Sequence, residues 1–141
     1  MNTGSLTGKK HLFDVRVYYE DTDAGGIVYY ANYLKFCERA RTEWLRALGI
    51  EQDSWLQEQV GFVVRSVNLD MRAPARFNDL LSVTVEPVNL GRASLSCRQE
   101  IRNQQQELLC VAEVKAACVN LAIMKPVAIP PAIVEGIRRG S

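Results

Sequence analysis

The segment that decides the fold spans residues 16–49 and reads RVYYEDTDAGGIVYYANYLKFCERARTEWLRALG. Its second half carries apolar or small side chains at gaps of three and four residues, the period of an amphipathic helix. These side chains are Tyr33, Phe36, Cys37, Ala40, Trp44, Leu45 and Leu48. Gly49 follows the stripe, where a helix end favours a residue in the left-handed conformation. The pattern predicts one long core helix that ends near Gly49.

The rest of the chain reads mainly as β-structure, because β-favouring residues alternate with polar ones. The predicted strands cover residues 11–19, 62–71, 80–87, 93–103 and 108–120, and short helices are predicted over 51–59 and 133–139. Short turns between the later strands favour antiparallel neighbours. We therefore predict an α+β fold in which a five-stranded antiparallel sheet wraps around one long central helix. One helix leaves part of such a sheet uncovered, which makes pairing between protomers plausible.

Composition narrows the possible functions. The 141 residues are 48% hydrophobic with a net charge of +1, which gives no reason to expect nucleic acid or a membrane surface as partner. Residues 1–9 read as a flexible lead-in without a secretory signal, and residues 10–141 as one domain. No apolar run approaches the roughly 20 residues of a membrane helix, so we expect a cytoplasmic protein. The four cysteines form no CxxC or Cys/His cluster, which predicts reduced thiols and no metal site.

Elimination of common catalytic motifs leaves carboxylate chemistry. The only histidine is His11, for which we expect a structural role, and neither GxSxG nor a phosphate-binding glycine pattern is present. Asp21 and Asp23 precede the long helix, with Gly25 and Gly26 after them. A helix start offers unpaired N–H groups that can stabilise an oxyanion. An acid-rich capping loop would explain the same residues, and spacing alone favours that simpler interpretation.

The motifs around this loop resemble a known family. TDAGGIVYYANY at 22–33 and FCERARTEWL at 36–45 resemble hotdog-fold thioesterases of the 4-hydroxybenzoyl-CoA thioesterase type. Within that family the chain most resembles the bacterial acyl-CoA thioesterases associated with the Tol–Pal system, whose pattern APARFNDLL at 73–81 and MKP at 124–126 also fit. The resemblance covers nearly the whole chain.

The resemblance implies that the protein hydrolyses an acyl-CoA to a free acid and CoA without a cofactor. Asp23 matches the family's catalytic carboxylate, a nucleophile or general base, and Tyr30 matches the residue whose backbone N–H polarises the thioester carbonyl. Tol–Pal-associated members usually carry histidine at the position of Tyr30, which leaves the acyl group open. The resemblance also implies a homodimer or homotetramer that extends the sheet across protomers, with active sites at the interface.

Other residues are candidates for substrate binding. We expect Gly25 and Gly26 to let the ligand approach, Tyr33 to line the acyl side, and basic residues to hold the CoA phosphates. The candidates on the CoA side are Arg92 with Ser94 beside it, and more weakly Arg65 and Arg72. One alternative is a non-catalytic module that binds acyl thioesters or acyl carrier protein. Another is a hotdog dehydratase, which is disfavoured because such lyases usually need a histidine in the site.

Overall fold

One long helix, five longer strands and several short elements form the fold, in a computed structural model that describes residues 10–140. The elements are β1 (His11–Arg16), α1 (Tyr30–Ala47), α2 (Gln52–Gln57), β2 (Val60–Met71), β3 (Leu80–Leu90), β4 (Ser94–Arg102), β5 (Leu108–Asn120), β6 (Lys125–Pro126) and α3 (Pro131–Gly140). The lead-in predicted for residues 1–9 lies outside the described residues.

The strands form one antiparallel sheet in the order β1-β3-β4-β5-β2. The two residues of β6 pair with the end of β5 and were not predicted. The α+β arrangement expected from the sequence is therefore confirmed. The first strand is shorter than predicted because the Asp21 carboxylate accepts the Tyr18 N–H at 2.9 Å, and the chain then makes a single 3-10 turn at Tyr19–Asp21.

Helix α1 buries the predicted stripe against the sheet. Its most deeply buried side chains include Phe36, Ala40 and Trp44. Burial of each large apolar side chain of this kind contributes roughly 1.5–3 kcal/mol. The helix starts at Tyr30, three residues before the first residue of the stripe, and Gly49 follows it with φ of +81°. Because α1 lies closest to β1 and β3, it leaves the side of the sheet towards β2 less covered.

Strand β2 forms one edge of the sheet and contains a bulge. Its register against β5 shifts between Val64 and Ser66, so Arg65 is the extra residue. In a regular strand Val63 would share a face with Val67, but the bulge reverses the alternation, and Val64 shares that face instead. The side chains of Val64, Val67 and Met71 are 40–51% exposed on this face. Part of the sheet is thus uncovered, as expected for a sheet that packs on one long helix, and the structure locates the uncovered part at β2.

His11 has the structural role expected from its position. Its ring Nε2 lies 3.1 Å from the carbonyl oxygen of Gly140 in α3, and its ring lies 6.1 Å from that of Trp44 between centroids. Trp44 follows Tyr30 by fourteen residues, about 21 Å along the helix axis. His11 therefore lies at the opposite end of α1 from the helix start.

We expect the cysteines to be unreactive in the folded protein. All four are free and buried, and burial raises the pKa of Cys37 to about 11 and of Cys97 and Cys110 to about 12. Since the thiolate is the reactive form, a chromogenic thiol reagent at pH 8 should label the native protein at least ~100-fold more slowly than the denatured protein. Rapid labelling of any cysteine before denaturant is added would contradict this burial.

Candidate active site

Asp21 joins the loop before α1 to the first turn of that helix. Its carboxylate accepts the N–H of Tyr18, while its carbonyl oxygen accepts the Tyr29 N–H at 3.1 Å and the side-chain amide of Asn32 at 2.8 Å. Asn32 is a polar residue with only 8% of its surface exposed, and the apolar pattern of the sequence did not identify it. The structural interpretation of the acidic loop is therefore correct for Asp21.

Asp23 lies in a tight turn and is exposed. One carboxylate oxygen accepts the N–H of Gly25 at 2.9 Å, and the Asp23 carbonyl accepts the N–H of Gly26 at 3.0 Å. Gly26 has φ of +77°, a conformation that other residues adopt only at a cost. The Asp23 N–H donates to the carbonyl of Ile27, which closes the turn. The two glycines shape this turn and thereby fix where the carboxylate lies.

The start of α1 keeps donors available. Tyr29 is the N-cap residue, yet its side chain makes no capping hydrogen bond, and the first helical turn contains no acidic residue. Within residues 10–140, the backbone N–H groups of Tyr30 and Ala31 have no hydrogen-bond acceptor. Unpaired N–H groups and the partial positive charge of a helix N-terminus favour an oxygen that carries negative charge. Tyr30 thus provides the kind of donor that an oxyanion requires.

Asp23 and Tyr30 line one open groove of about 470 Å³, together with Tyr33. The other wall is the end of β2 and the residues after it, Met71 to Pro74. Arg72 lies in this wall and pairs with Asp70 at 3.0 Å. One of the two weaker arginine candidates therefore shares the groove with Asp23, and the first candidate, Arg92, does not. The sequence analysis named Arg72 and the motif that begins at Ala73, but it did not predict that they form a wall of the Asp23 groove.

Tyr33 has a structural partner in the groove wall. Its hydroxyl accepts the N–H of Ala75 at 3.1 Å, its side chain is almost fully buried, and burial raises its pKa. This bond connects the helix to the segment that follows β2. Tyr33 therefore holds the two walls of the groove together.

The remaining candidates lie away from Asp23 in the same protomer. Arg72 and Ala73 contact Leu109 near the start of β5, whereas Ser94 pairs with Ala117 near its end. Eight residues of strand separate these positions by about 26 Å. Arg92 adjoins Ser94 in the β3–β4 turn, and Arg65 lies at the bulge in the middle of β2. Arg65, Arg92 and Ser94 are not in the wall of the Asp23 groove of their own protomer.

Two further properties of residues 10–140 bear on function. No three His, Cys, Asp or Glu side chains in this part of the chain converge in a way that could hold a metal ion. None of its helices is both long and apolar enough to cross a membrane.

Comparison with known proteins places the chain in a family. A model of the thioesterase superfamily matches residues 25–110. The acyl-CoA thioester hydrolase YbgC of Escherichia coli is 48% identical over 125 residues, which cover 89% of this chain and 93% of that protein. The acyl-CoA thioesterase YbgC of Haemophilus influenzae is 49% identical over 119 residues, which cover 84% of this chain and 87% of that protein.

Solved structures agree with this placement. A probable thioesterase from Bartonella henselae is 36% identical with a TM-score of 0.76, over 86% of this chain and 98% of that one. A 1,4-dihydroxy-2-naphthoyl-CoA thioesterase from Synechocystis shares the fold with a TM-score of 0.85 at 24% identity, over 92% of this chain and 96% of that one. The architecture is that of the hotdog thioesterases, as the resemblance implied. The chain belongs to the thioesterase superfamily and is a thioester hydrolase.

The Tyr33–Ala75 bond can be tested by a change that removes one oxygen. In Tyr33→Phe the buried N–H of Ala75 loses its acceptor, so we expect the free energy of unfolding in urea to fall by about 1–3 kcal/mol. Tyr30→Phe is the matched control, because Tyr30 is 55% exposed, and it should leave the free energy of unfolding within about 0.5 kcal/mol of wild type. Equal stability of the two variants would show that the bond is absent in solution.

Proposed function

We propose that the protein hydrolyses acyl-CoA thioesters in the Asp23 groove. The observation that supports this proposal most directly is that an exposed carboxylate and an unpaired helix N-terminus line the same groove. Relatives with 48–49% identity over most of the chain are named acyl-CoA thioester hydrolase or acyl-CoA thioesterase, which supports CoA as the carrier. Acyl carrier protein is the second carrier to test.

In this proposal Asp23 acts in its ionised form. It attacks the thioester carbonyl to give a mixed anhydride that water then hydrolyses, or it removes a proton from the attacking water. Both routes consume one water and release a carboxylic acid and the CoA thiol. Either route develops negative charge on the carbonyl oxygen, and the N–H of Tyr30 stabilises that charge. Removal of one such donor elsewhere costs about 2.7–4 kcal/mol in the transition state.

The function is tested by neutralising one acid at a time. Asp23→Asn keeps an oxygen that can accept the N–H of Gly25, but it loses the charge. We expect its rate of thiol release from a panel of short, medium, long and aromatic acyl-CoAs to fall by about 100-fold or more. Asp21→Asn is the matched control, since it keeps an acceptor for Tyr18 and should retain activity. Wild-type turnover by Asp23→Asn would show that this carboxylate is not catalytic.

A homodimer that pairs two copies of β2 would complete the site. The free edge of β2 is twelve residues long, and its concave face carries exposed apolar side chains. Long uncovered edges favour pairing with another strand. Antiparallel pairing about the middle of β2 would bring the Met71 end of one copy beside the Val60 end of the other. The Val60 end of β2 is separated from Ser94 of β4 by one intervening strand, β5, at about 4.8 Å for each of the two strand spacings. Arg92, which lies close to Ser94, is therefore placed to contact the CoA bound in the partner's groove.

Hybrid dimers test whether Arg92 serves the other protomer. The Arg92→Ala homodimer should show a raised KM with little change in kcat, because it loses a phosphate contact only. We expect a hybrid of one Arg92→Ala chain and one Asp23→Asn chain to have the wild-type KM and half the wild-type kcat, since one site then keeps both native residues. If Arg92 served its own protomer, the only site with Asp23 would lack Arg92, and the hybrid would show the raised KM.

The cytoplasm is the compartment that we propose. Four buried, unpaired cysteines are typical of proteins kept in a reducing environment. The association with the Tol–Pal system that the sequence resemblance suggested stays a prediction.

A further inference from the structure

A second pocket lies between the middle of α1 and the sheet, away from the Asp23 groove of the same protomer. We name it the Arg41 pocket, after Arg41 of α1, which lines it with Glu38 and Thr42 of the same helix. The opposite wall is apolar and contains Phe62 and Val64 of β2. Its volume is about 160 Å³. An apolar cavity of about 150 Å³ can hold a benzene molecule, so the Arg41 pocket has room for a short acyl chain.

Arg41 is held in place by neutral groups. One of its guanidinium nitrogens donates to the side-chain oxygen of Gln99 at 2.8 Å, and the amide nitrogen of Gln99 donates to the carbonyl of Cys37 at 3.0 Å. Gln99 has no exposed surface, which fixes the base of this arrangement. A guanidinium has five N–H donors, and Gln99 satisfies one of them. The cation is therefore oriented while other donors stay available.

Arg41 has no acidic partner in this pocket among the described residues. No Asp or Glu among residues 10–140 lies within 4 Å of the Arg41 guanidinium. Trp44 contributes part of the apolar lining of this pocket and also contacts His11 on another side of α1. Glu38 is the one acid in the wall, but it is exposed and its carboxylate accepts the Thr42 hydroxyl at 3.1 Å. Solvent screens an exposed charge more than a partly buried one, so the charge of Arg41 dominates inside.

The position of the pocket connects it to the reaction in a dimer. Phe62 and Val64 belong to the first half of β2. If β2 pairs with its own copy as proposed above, this half lies beside the end of β2 in the other protomer, where the Asp23 groove opens. The Arg41 pocket of one protomer would then continue the groove of the other. This step rests on the proposed function and on the proposed pairing of β2.

We propose that the Arg41 pocket binds a carboxylate at the far end of a short acyl group, so that the preferred substrates are CoA thioesters of dicarboxylic acids. A guanidinium without an acidic partner is the complement of a carboxylate, because its N–H groups match the two oxygens. The apolar wall formed by Phe62 and Val64 suits the methylene groups between the carboxylate and the thioester.

The proposal is tested by comparing acyl groups of equal length. Glutaryl-CoA carries the distal carboxylate, valeryl-CoA lacks it, and the monomethyl ester of glutaryl-CoA keeps the oxygens without the charge. We expect the wild-type kcat/KM for glutaryl-CoA to exceed that for either neutral compound by about ten-fold or more, the effect of one hydrogen bond to a charged group. Arg41→Met should bring the three values together, and Arg41→Lys should restore part of the preference.

Binding gives a readout that does not need turnover. Calorimetric titration of Asp23→Asn with glutaryl-CoA and valeryl-CoA should give the same preference in Kd, and adding Arg41→Met should remove it. Arg39→Met is the matched control, because Arg39 is exposed on α1 and does not line the pocket. This control should leave the preference unchanged.

The outcomes separate the two proposals. The role of the Arg41 pocket would be overturned if charged and neutral acyl groups gave equal kcat/KM and Kd values. It would also be overturned if the preference for the charged acyl group survived Arg41→Met. Either result would leave the dependence of turnover on Asp23 intact. Weaker dimerisation of Arg41→Met with an unchanged preference would also overturn the role of the pocket and would assign Arg41 to the subunit interface. A preference in Kd that depends on Arg41, together with full activity of Asp23→Asn, would retain the pocket and refute the assignment of Asp23.

Discussion

The packing of α1 on the sheet is the constraint on which the rest of the structure depends. The apolar stripe of the helix is narrow, so burying it against β1 and β3 leaves the β2 side of the concave face open. In the function that we propose, this open side provides room for the acyl group. The same packing fixes the helix start beside the end of β2, where Asp23 and Tyr30 share a groove.

The two acids of the loop have different functions although they lie two residues apart. Asp21 uses both its carboxylate and its carbonyl oxygen to hold the loop against the helix. Asp23 therefore has no capping role, and within residues 10–140 its exposed carboxylate accepts a hydrogen bond only from Gly25 of its own turn. In the mechanism that we propose, stability and chemistry are thus assigned to separate residues within one short segment, and the exposed acid lies in the same groove as unpaired helical N–H groups.

Much of this could be predicted from the sequence, because periodicity and turn residues are local signals. The stripe from Tyr33 to Leu48 and the long alternation of β5 predicted the helix and strand well. Non-local features were not predicted, because periodicity and turn residues carry no information about which distant residues meet. The bulge at Arg65 depends on how β2 meets β5, and the bond between Tyr33 and Ala75 joins residues forty-two positions apart. Likewise, nothing in the local pattern indicates that Arg72 lies near Asp23 while Arg92 does not.

The bulge in β2 has a consequence for which chains can assemble with one another. A strand without irregularities can slide along a neighbour by two residues and keep its apolar face on the same side. The extra residue at Arg65 breaks that equivalence, because the side chains before and after it follow different alternations. If β2 pairs with its own copy as proposed, a slip by two residues moves the bulge of one strand away from that of the other, so the alignments are no longer equivalent. A bulge in an exposed edge also disfavours pairing with regular strands, which is one way in which proteins limit open-ended aggregation.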